Sequence, residues 1–381
     1  MVRDDASIDD ALVILCGVLG AVSFWSTALA EIAGGLILGA AAARFLRSRR
    51  GDSPVDFCRG GLARLAFAFF VVYCVSVVLS VLGAPGTFLR NPSLIWHPLL
   101  LPALLFTGAR RRALRRAACV FLTGGAACAV ATLALDLGRG AGSEPFTFTG
   151  MTTFADLLVL ACVSGMSLAF RRRPHRLPLA ALAALLPAVA WSAERAPVLA
   201  LAGVGTVRAA RAGPRLLGAW LCIAAACAAF APRAFTDKMD WMVRGGQIDR
   251  YVVWEEGLRM VPSVPLFGYG PGSFARVLPR EAWTRFVQRP PASWHNDLLE
   301  TWLDSGPLAA IALGGLVVLG IVQAARGLIP GARGAHRACA AVTGLLFAIL
   351  VLFGMVGSVV TTSVLGLSFW TLLGLTINPP E

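Results

Sequence analysis

The residues best suited to chemistry cluster in one stretch. Ser293-Trp294-His295-Asn296-Asp297-Leu298 places an imidazole just ahead of an apolar run that begins near Gly306. The chain has four histidines, and His295 is the one in a long polar segment, residues 232–305. His175 and His336 sit among arginines, and His97 lies in an apolar segment. An imidazole titrates near neutrality and can act as a general base, or it can serve the local structure alone. Among the arginines that precede it are Arg250, Arg259, Arg276, Arg280, Arg285 and Arg289. Such guanidinium groups form either a solvated, headgroup-facing surface or a landing surface for an anionic substrate.

Among them runs Gly268-Tyr269-Gly270-Pro271-Gly272. It reads as a tight turn or as a place where backbone closely approaches a ligand. Its GxGxG spacing is not the dinucleotide fingerprint. A further charged site, Glu194-Arg195, interrupts an apolar run, either as a short turn with an ion pair or as a functional charge. No metal is expected, because no second histidine or carboxylate stands at ligand spacing from His295. The nine cysteines form no CxxC and avoid the polar segment, so they read as apolar filler.

These side chains need elements to position them. Residues Ile248–Val261 read as a helix with Asp249 as N-cap and an apolar stripe of Trp254, Leu258 and Val261. Pro262 and Pro265 end it. Beyond this segment the chain is overwhelmingly apolar. Of 381 residues, 57% are hydrophobic and 14% charged, and the mean hydropathy is +0.72. A soluble domain carries about 25% charged residues. The composition excludes a soluble enzyme, a disulfide scaffold and a disordered regulator, and makes the chain an all-α, polytopic membrane protein.

Twelve apolar segments can be drawn, near 10–27, 28–46, 64–83, 93–109, 117–137, 151–170, 177–193, 196–210, 216–231, 306–325, 338–358 and 361–377. With the N-terminus inside, every arginine cluster following an even-numbered segment falls on the inner side. This predicts a bundle of about 12 transmembrane helices with both termini cytoplasmic. The division is then 1–231 for nine helices, 232–305 for an outer-face loop carrying short helices, and 306–381 for three more helices. The net charge of +13 becomes a topology signal, and no nucleic-acid partner is expected. The first ten residues are acidic, and no cleavable signal peptide is expected.

Read in order, these features resemble the O-antigen ligase and O-antigen polymerase-like family of bacterial membrane glycosyltransferases. The similar features are an arginine at the outer end of a helix, here Arg195, then Arg250-x3-Trp254. Pro265-Leu-Phe-Gly268-Tyr-Gly270-Pro-Gly272-Ser-Phe274 follows, and His295-Asn296-Asp-Leu298 with Asp304-Ser-Gly306 closes the loop. Glu194 stands where the family often has Ser, and Ser263-Val264 where it often has Asp-His. Detailed resemblance covers about 190–310.

The resemblance implies a bundle of the kind found in lipid-linked-sugar transferases of the bacterial cytoplasmic (inner) membrane. It implies transfer of a glycan from a polyprenyl-diphosphate carrier, of undecaprenyl diphosphate type, to an acceptor hydroxyl. The reaction takes place on the outer, periplasmic face, without metal or other cofactor. By the same resemblance, His295 is the base, and Arg195 and Arg250 hold the diphosphate. Trp254, Arg259, Gly268, Gly270, Gly272, Arg276, Arg280, Arg285, Arg289 and Asn296 are the expected substrate-binding residues. The acceptor is a glycan or a lipid A-core type molecule, as in lipopolysaccharide and other cell-envelope polysaccharide biosynthesis. Alternatives are a polymerase that extends a lipid-linked glycan, a protein O-oligosaccharyltransferase and, more distantly, a transporter or flippase. A transporter would need ionisable groups near the bilayer midplane, whereas Glu31, Asp136, Asp156 and Glu194 fall near the outer ends of the predicted spans. The sequence carries no signal for oligomeric state.

Overall fold

The structure is a computed structural model. It describes residues 2–47, 61–83, 97–105, 111–139, 147, 151–169, 176–192, 194–229, 240, 248–286, 293–327, 366–371 and 373. Regular structure among these residues is helical, without strands, in line with the all-α expectation. The helices are α1 (Val2–Ser23), α2 (Thr27–Arg47), α3 (Gly61–Gly83) and α4 (Leu100–Leu105), the last entered through a 3-10 turn at His97–Leu99. Then come α5 (Arg111–Arg139), α6 (Met151–Ala169), α7 (Arg176–Trp191), α8 (Arg195–Ala212) and α9 (Pro214–Ala229). The polar segment contributes α10 (Ile248–Met260), α11 (Phe274–Val277) and α12 (Arg280–Trp283), and α13 (Asp297–Gly327) returns to the bundle.

The first hairpin divides where the sequence suggests. Ser26 Oγ accepts the Leu29 N–H at 3.4 Å and its carbonyl accepts the Ala30 N–H at 3.1 Å, so Ser26 caps α2. At the other end of the hairpin, Arg44 pairs with the buried Asp9. Helix α1 approaches α5 through small residues. A Cβ on Gly17 would lie 2.5 Å from the Ala117 carbonyl oxygen, and Gly124 faces Ala21. Close backbone approach of this kind is how helices associate in lipid, where burying apolar surface gives little gain. From there α5 packs on α6 and α7, α8 packs on α6 and α9, and α3 packs on α13 and α4. One core of Phe24, Phe69, Phe121, Phe154, Leu185 and Trp370 runs through the bundle. Trp370 stacks on Phe69 with ring centroids 5.6 Å apart.

Among the described residues, four helices are long and apolar enough to cross a membrane, over Thr27–Leu46, Ala63–Ser80, Ala113–Gly138 and Asp297–Val322. Large apolar side chains point outward from them, including Ile32, Leu36, Val78, Leu82, Ile311 and Val318. Several boundaries differ from the sequence reading. Arg111 and Arg112, Arg115 and Arg116 are the first turns of α5, not a loop before a helix starting at 117. The helix predicted from 306 begins at Asp297, because DLLETWLDS is itself helical and joins the apolar run across a kink at Gly306. Of the span predicted at 93–109, the described part is the 3-10 turn and the six-residue α4. The span at 338–358 and most of that at 361–377 lie outside the described residues.

Candidate functional site

The described residues from 248 onward that precede the bundle part of α13 have a core of their own. Val253, Phe274, Leu278, Ala282, Trp294, Leu299 and Leu303 form it, separate from the bundle core. Helix α10 is one wall. Its most buried residues are Val252, Val253, Glu256 and Gly257; of the expected stripe, Trp254 and Val261 pack partly buried against this core, whereas Leu258 is 63% exposed. The reason is Gly257: a Cβ there would lie 2.8 Å from Leu299 and 3.1 Å from Trp294, so this turn can press directly on both. Asp249 lies inside the first helical turn and does not precede the helix as an N-cap.

Arg250 and Trp254 stand one turn apart on α10, a spacing that puts both on one side. Both act on the segment carrying His295. The Trp254 indole N–H donates to the Trp294 carbonyl at 3.1 Å. The Trp294 ring is fully buried and meets Phe274 edge-on at 4.9 Å. The peptide just before His295 is therefore held on both sides. His295 itself has φ 52°, the one non-glycine left-handed residue among those described. Such a conformation costs about 1–3 kcal/mol and persists only where the surroundings enforce it. Burial, and then the charge of Arg250, lower the His295 pKa from 6.5 to about 4. Its imidazole is therefore neutral at neutral pH. Asn296 Oδ1 accepts the Leu299 N–H at 3.0 Å and caps α13.

The glycine run is built into the structure at both ends. Gly268, Gly270 and Gly272 have φ of 73°, 97° and 70°, open to glycine at little cost. Tyr269 N–H donates to the Leu303 carbonyl and Gly270 N–H to the Asp304 carbonyl, both at 2.8 Å. The Asp304 carboxylate accepts the Gly272 N–H at 2.7 Å and the Ser273 hydroxyl at 2.5 Å. Gly306, φ 87°, abuts the Leu266 carbonyl so closely that a Cβ would collide with it. The Gly-rich motif and the Asp-Ser-Gly motif are thus two halves of one clasp. Helix α3 joins it: the Ser76 hydroxyl lies 2.7 Å from the Phe267 carbonyl and 3.2 Å from that of Asp304.

The arginines divide. Arg259 and Arg285 each contact both Glu255 and Glu256, at 2.5–2.9 Å, in a network of two positive and two negative groups. The hydrogen bond from Arg285, then the charge of Arg259, hold Glu255 below the usual carboxylate range. Arg280 is exposed and makes no ion pair among the described residues. Arg276 donates to the Tyr269 carbonyl and lines a cavity of about 520 Å³ between α3 and the glycine run. Arg195 begins α8, behind a Glu194 that makes no side-chain cap. The Arg195 side chain and all of Arg289 lie outside the described residues. Close to the start of α8, Trp191 Nε1 donates to the buried Asp136 at 2.9 Å.

Three contributions escape a sequence reading: Asp304 as the clasp's acceptor, Ser76 and Ser80 of α3, and the acidic partners of Arg259 and Arg285. For Asp304 a signal existed, since an acidic residue two before a glycine recurs in the motif. For Ser76 and Ser80 none did.

Comparison with known proteins fits this geometry. Residues 146–314, somewhat less than half of the chain, match a family model described as O-antigen ligase. The match contains Arg195, Arg250, the glycine run, His295 and the Asp304-Ser-Gly306 motif. No curated protein matches the chain. The family match bears out the resemblance drawn from the loop motifs and supports an O-antigen ligase-like, glycosyltransferase-type activity in polysaccharide biosynthesis. With the long apolar helices, it supports a multi-pass inner-membrane protein.

Proposed function

We propose that this protein transfers a glycan from a polyprenyl-diphosphate carrier to an acceptor hydroxyl at the outer face of the cytoplasmic membrane. The observation that carries the reading is His295, held at φ 52° just after the Trp294 carbonyl that Trp254 fixes, with the charge of Arg250 near enough to act on its imidazole. In the proposed step the acceptor hydroxyl oxygen attacks the anomeric carbon as the bond to the diphosphate oxygen breaks. His295 takes the hydroxyl proton. The diphosphate leaves with its negative charge held by Arg250 and by Arg195 from the start of α8. Donors placed in advance on developing charge contribute about 3–4 kcal/mol each in comparable sites. General-base removal of the proton adds roughly 10²–10⁴-fold. No metal is needed in this scheme. A bound diphosphate also opposes the charge of Arg250, which raises the basicity of His295 once the donor is in place.

The other expected substrate contacts are refined. Arg280, exposed beside this module, remains a candidate substrate contact. Arg259 and Arg285 contribute by fixing α10 to the segment after α12, and Trp254 and Asn296 by fixing the backbone around His295. The twelve-span threading, with 232–305 as an outer catalytic module and both termini inside, belongs to the same proposal.

The test is transfer of labelled glycan by purified protein in lipid, with lipid A-core, glycan carrier and peptide acceptors offered in parallel. His295→Ala is expected to abolish transfer while the protein stays folded in the membrane. Turnover by that variant at the wild-type rate would sink the base assignment.

A further inference from the structure

Between α10 and the glycine run lies an apolar turn, Pro262-Ser263-Val264-Pro265-Leu266-Phe267. Two contacts fix its depth. The Phe267 carbonyl accepts the Ser76 hydroxyl at 2.7 Å, and the Leu266 carbonyl abuts Gly306. Ser76 lies inside the apolar span Ala63–Ser80, and Gly306 inside the apolar span Asp297–Val322. From Ser76, α3 runs on to Gly83, about 10 Å further at 1.5 Å per residue. The turn therefore sits beside two apolar spans and short of the tip of α3, not beyond it.

Its surface suits that depth. Leu266 is 54% exposed, and Pro262 and Pro265 are exposed with it. Leu266 borders the same cavity as Leu79, which is exposed on α3 along with Val78 and Leu82. The outward apolar surface of α3 thus continues onto the turn. Polar groups of the turn are satisfied within the protein. Pro262 and Pro265 have no N–H to place. The Val264 N–H donates to the Val261 carbonyl at 3.4 Å, and the Gly268 N–H to the Pro265 carbonyl at 2.9 Å. The Ser263 hydroxyl donates to the Met260 carbonyl at 2.9 Å, and the Ser263 carbonyl accepts the Tyr269 hydroxyl at 3.3 Å. Irregular backbone is tolerated at membrane depth only where its polar groups find partners inside the protein. A turn in water has no such need.

We infer that this turn is immersed in the bilayer leaflet next to the polar segment, with Leu266 among the acyl chains, so that Leu266 and the end of α3 form one lipid-binding surface. Immersion removes exposed apolar side chains from water, which is favourable in proportion to their area. Asp297, two residues after His295, lies about 14 Å along α13 from Gly306. An immersed turn therefore keeps the imidazole close to the headgroups. That consequence rests on the transferase reading; the immersion does not.

Depth and turnover test the two parts separately. A bimane label is placed at Leu266→Cys in the cysteine-free full chain, held in lipid nanodiscs. Leu82→Cys serves as the lipid-facing reference and Glu281→Cys, exposed on α12, as the aqueous one. Label at Leu266→Cys is expected to lose most of its emission to phosphatidylcholine brominated on its acyl chains, as at Leu82→Cys, and little to aqueous iodide. Quenching by iodide as strong as at Glu281→Cys overturns the immersion. Protection from both quenchers also overturns it, because another part of the chain or a second copy then covers the turn. In turnover, Leu266→Asp is expected to lose transfer from a long-chain lipid-linked donor and to keep it from a short-chain, water-soluble one. An equal loss with both donors overturns the consequence for catalysis. If wild type transfers no glycan at all, the transferase reading fails, and the quenching still decides the immersion.

Discussion

At the scale of single residues, His295 is governed by two forces that act in the same direction. Burial and the nearby Arg250 both disfavour the imidazolium, and its pKa falls from 6.5 to about 4. The charged form is the one lost, so a base at this position stays competent as pH falls below 6. The acid limb of kcat/KM is accordingly expected near pH 4 and not near 6.5. Arg250→Gln removes one of the two causes, so the limb should move upward, together with a loss of rate from the missing diphosphate contact. A limb that stays in place in the variant would separate Arg250 from His295. The same depression affects stability. Below about 6.5 the unfolded chain binds a proton that the folded chain refuses until about 4, so stability falls as pH drops through that window. His295→Gln should flatten this part of the pH–stability curve. Arg250→Lys keeps the charge but loses the planar fork. It is expected to leave the acid limb low while cutting transfer nearly as far as Arg250→Gln.

At the scale of elements, the site depends on a clasp whose parts lie far apart in the chain. Asp304 accepts two hydrogen bonds through its carboxylate, from Gly272 and Ser273. Each such bond contributes about 0.5–1.5 kcal/mol net. Asp304→Ala is expected to lower the thermal unfolding midpoint clearly and to abolish transfer, whereas Asp304→Asn keeps one acceptor and should lose less of both. Gly306→Ala puts a side chain at φ 87° and against the Leu266 carbonyl, whereas Gly314→Ala, in the same helix, meets nothing within 4 Å. The first should disrupt the fold and the second leave it intact, as size-exclusion profiles in detergent will show. The pattern explains what the sequence could and could not disclose. Arg250 and Trp254 are legible as partners because helical periodicity is local. The three glycines are legible as a special backbone because few other residues adopt those angles. The link from Ser76 to Phe267, across 191 positions, leaves no local trace. Neither does the pairing of Arg285 with Glu255 and Glu256. The arginines looked equivalent in the sequence, and the fold separates Arg259 and Arg285, bound to carboxylates, from the exposed Arg280.

At the scale of the whole molecule, α8 and α9 decide how the chain threads the bilayer. They have 18 and 16 residues, or about 27 and 24 Å at 1.5 Å per residue, slightly under the hydrocarbon core of about 30 Å. A pair this short could lie along the surface or cross a locally thinned membrane. Two observations favour crossing. Leu199, Leu216, Leu221 and Ile223 are exposed on both helices, as lipid-facing side chains would be. The turn between them, closed by Gly213 at φ 129°, follows Arg208 and Arg211 and precedes Arg215, so its charge suits the inner side. If the pair crosses, the start of α8 and the polar module lie on one face and the turn on the other. Arg195 and His295 then share a compartment. In a cysteine-free background, Arg280→Cys should react with a membrane-impermeant maleimide in intact spheroplasts, and Arg211→Cys only after lysis. Labelling of Arg211→Cys in intact spheroplasts would place the α8–α9 turn outside. The arginine clusters would then no longer fall on one side, and the threading that puts Arg195 beside the donor would have to be redrawn.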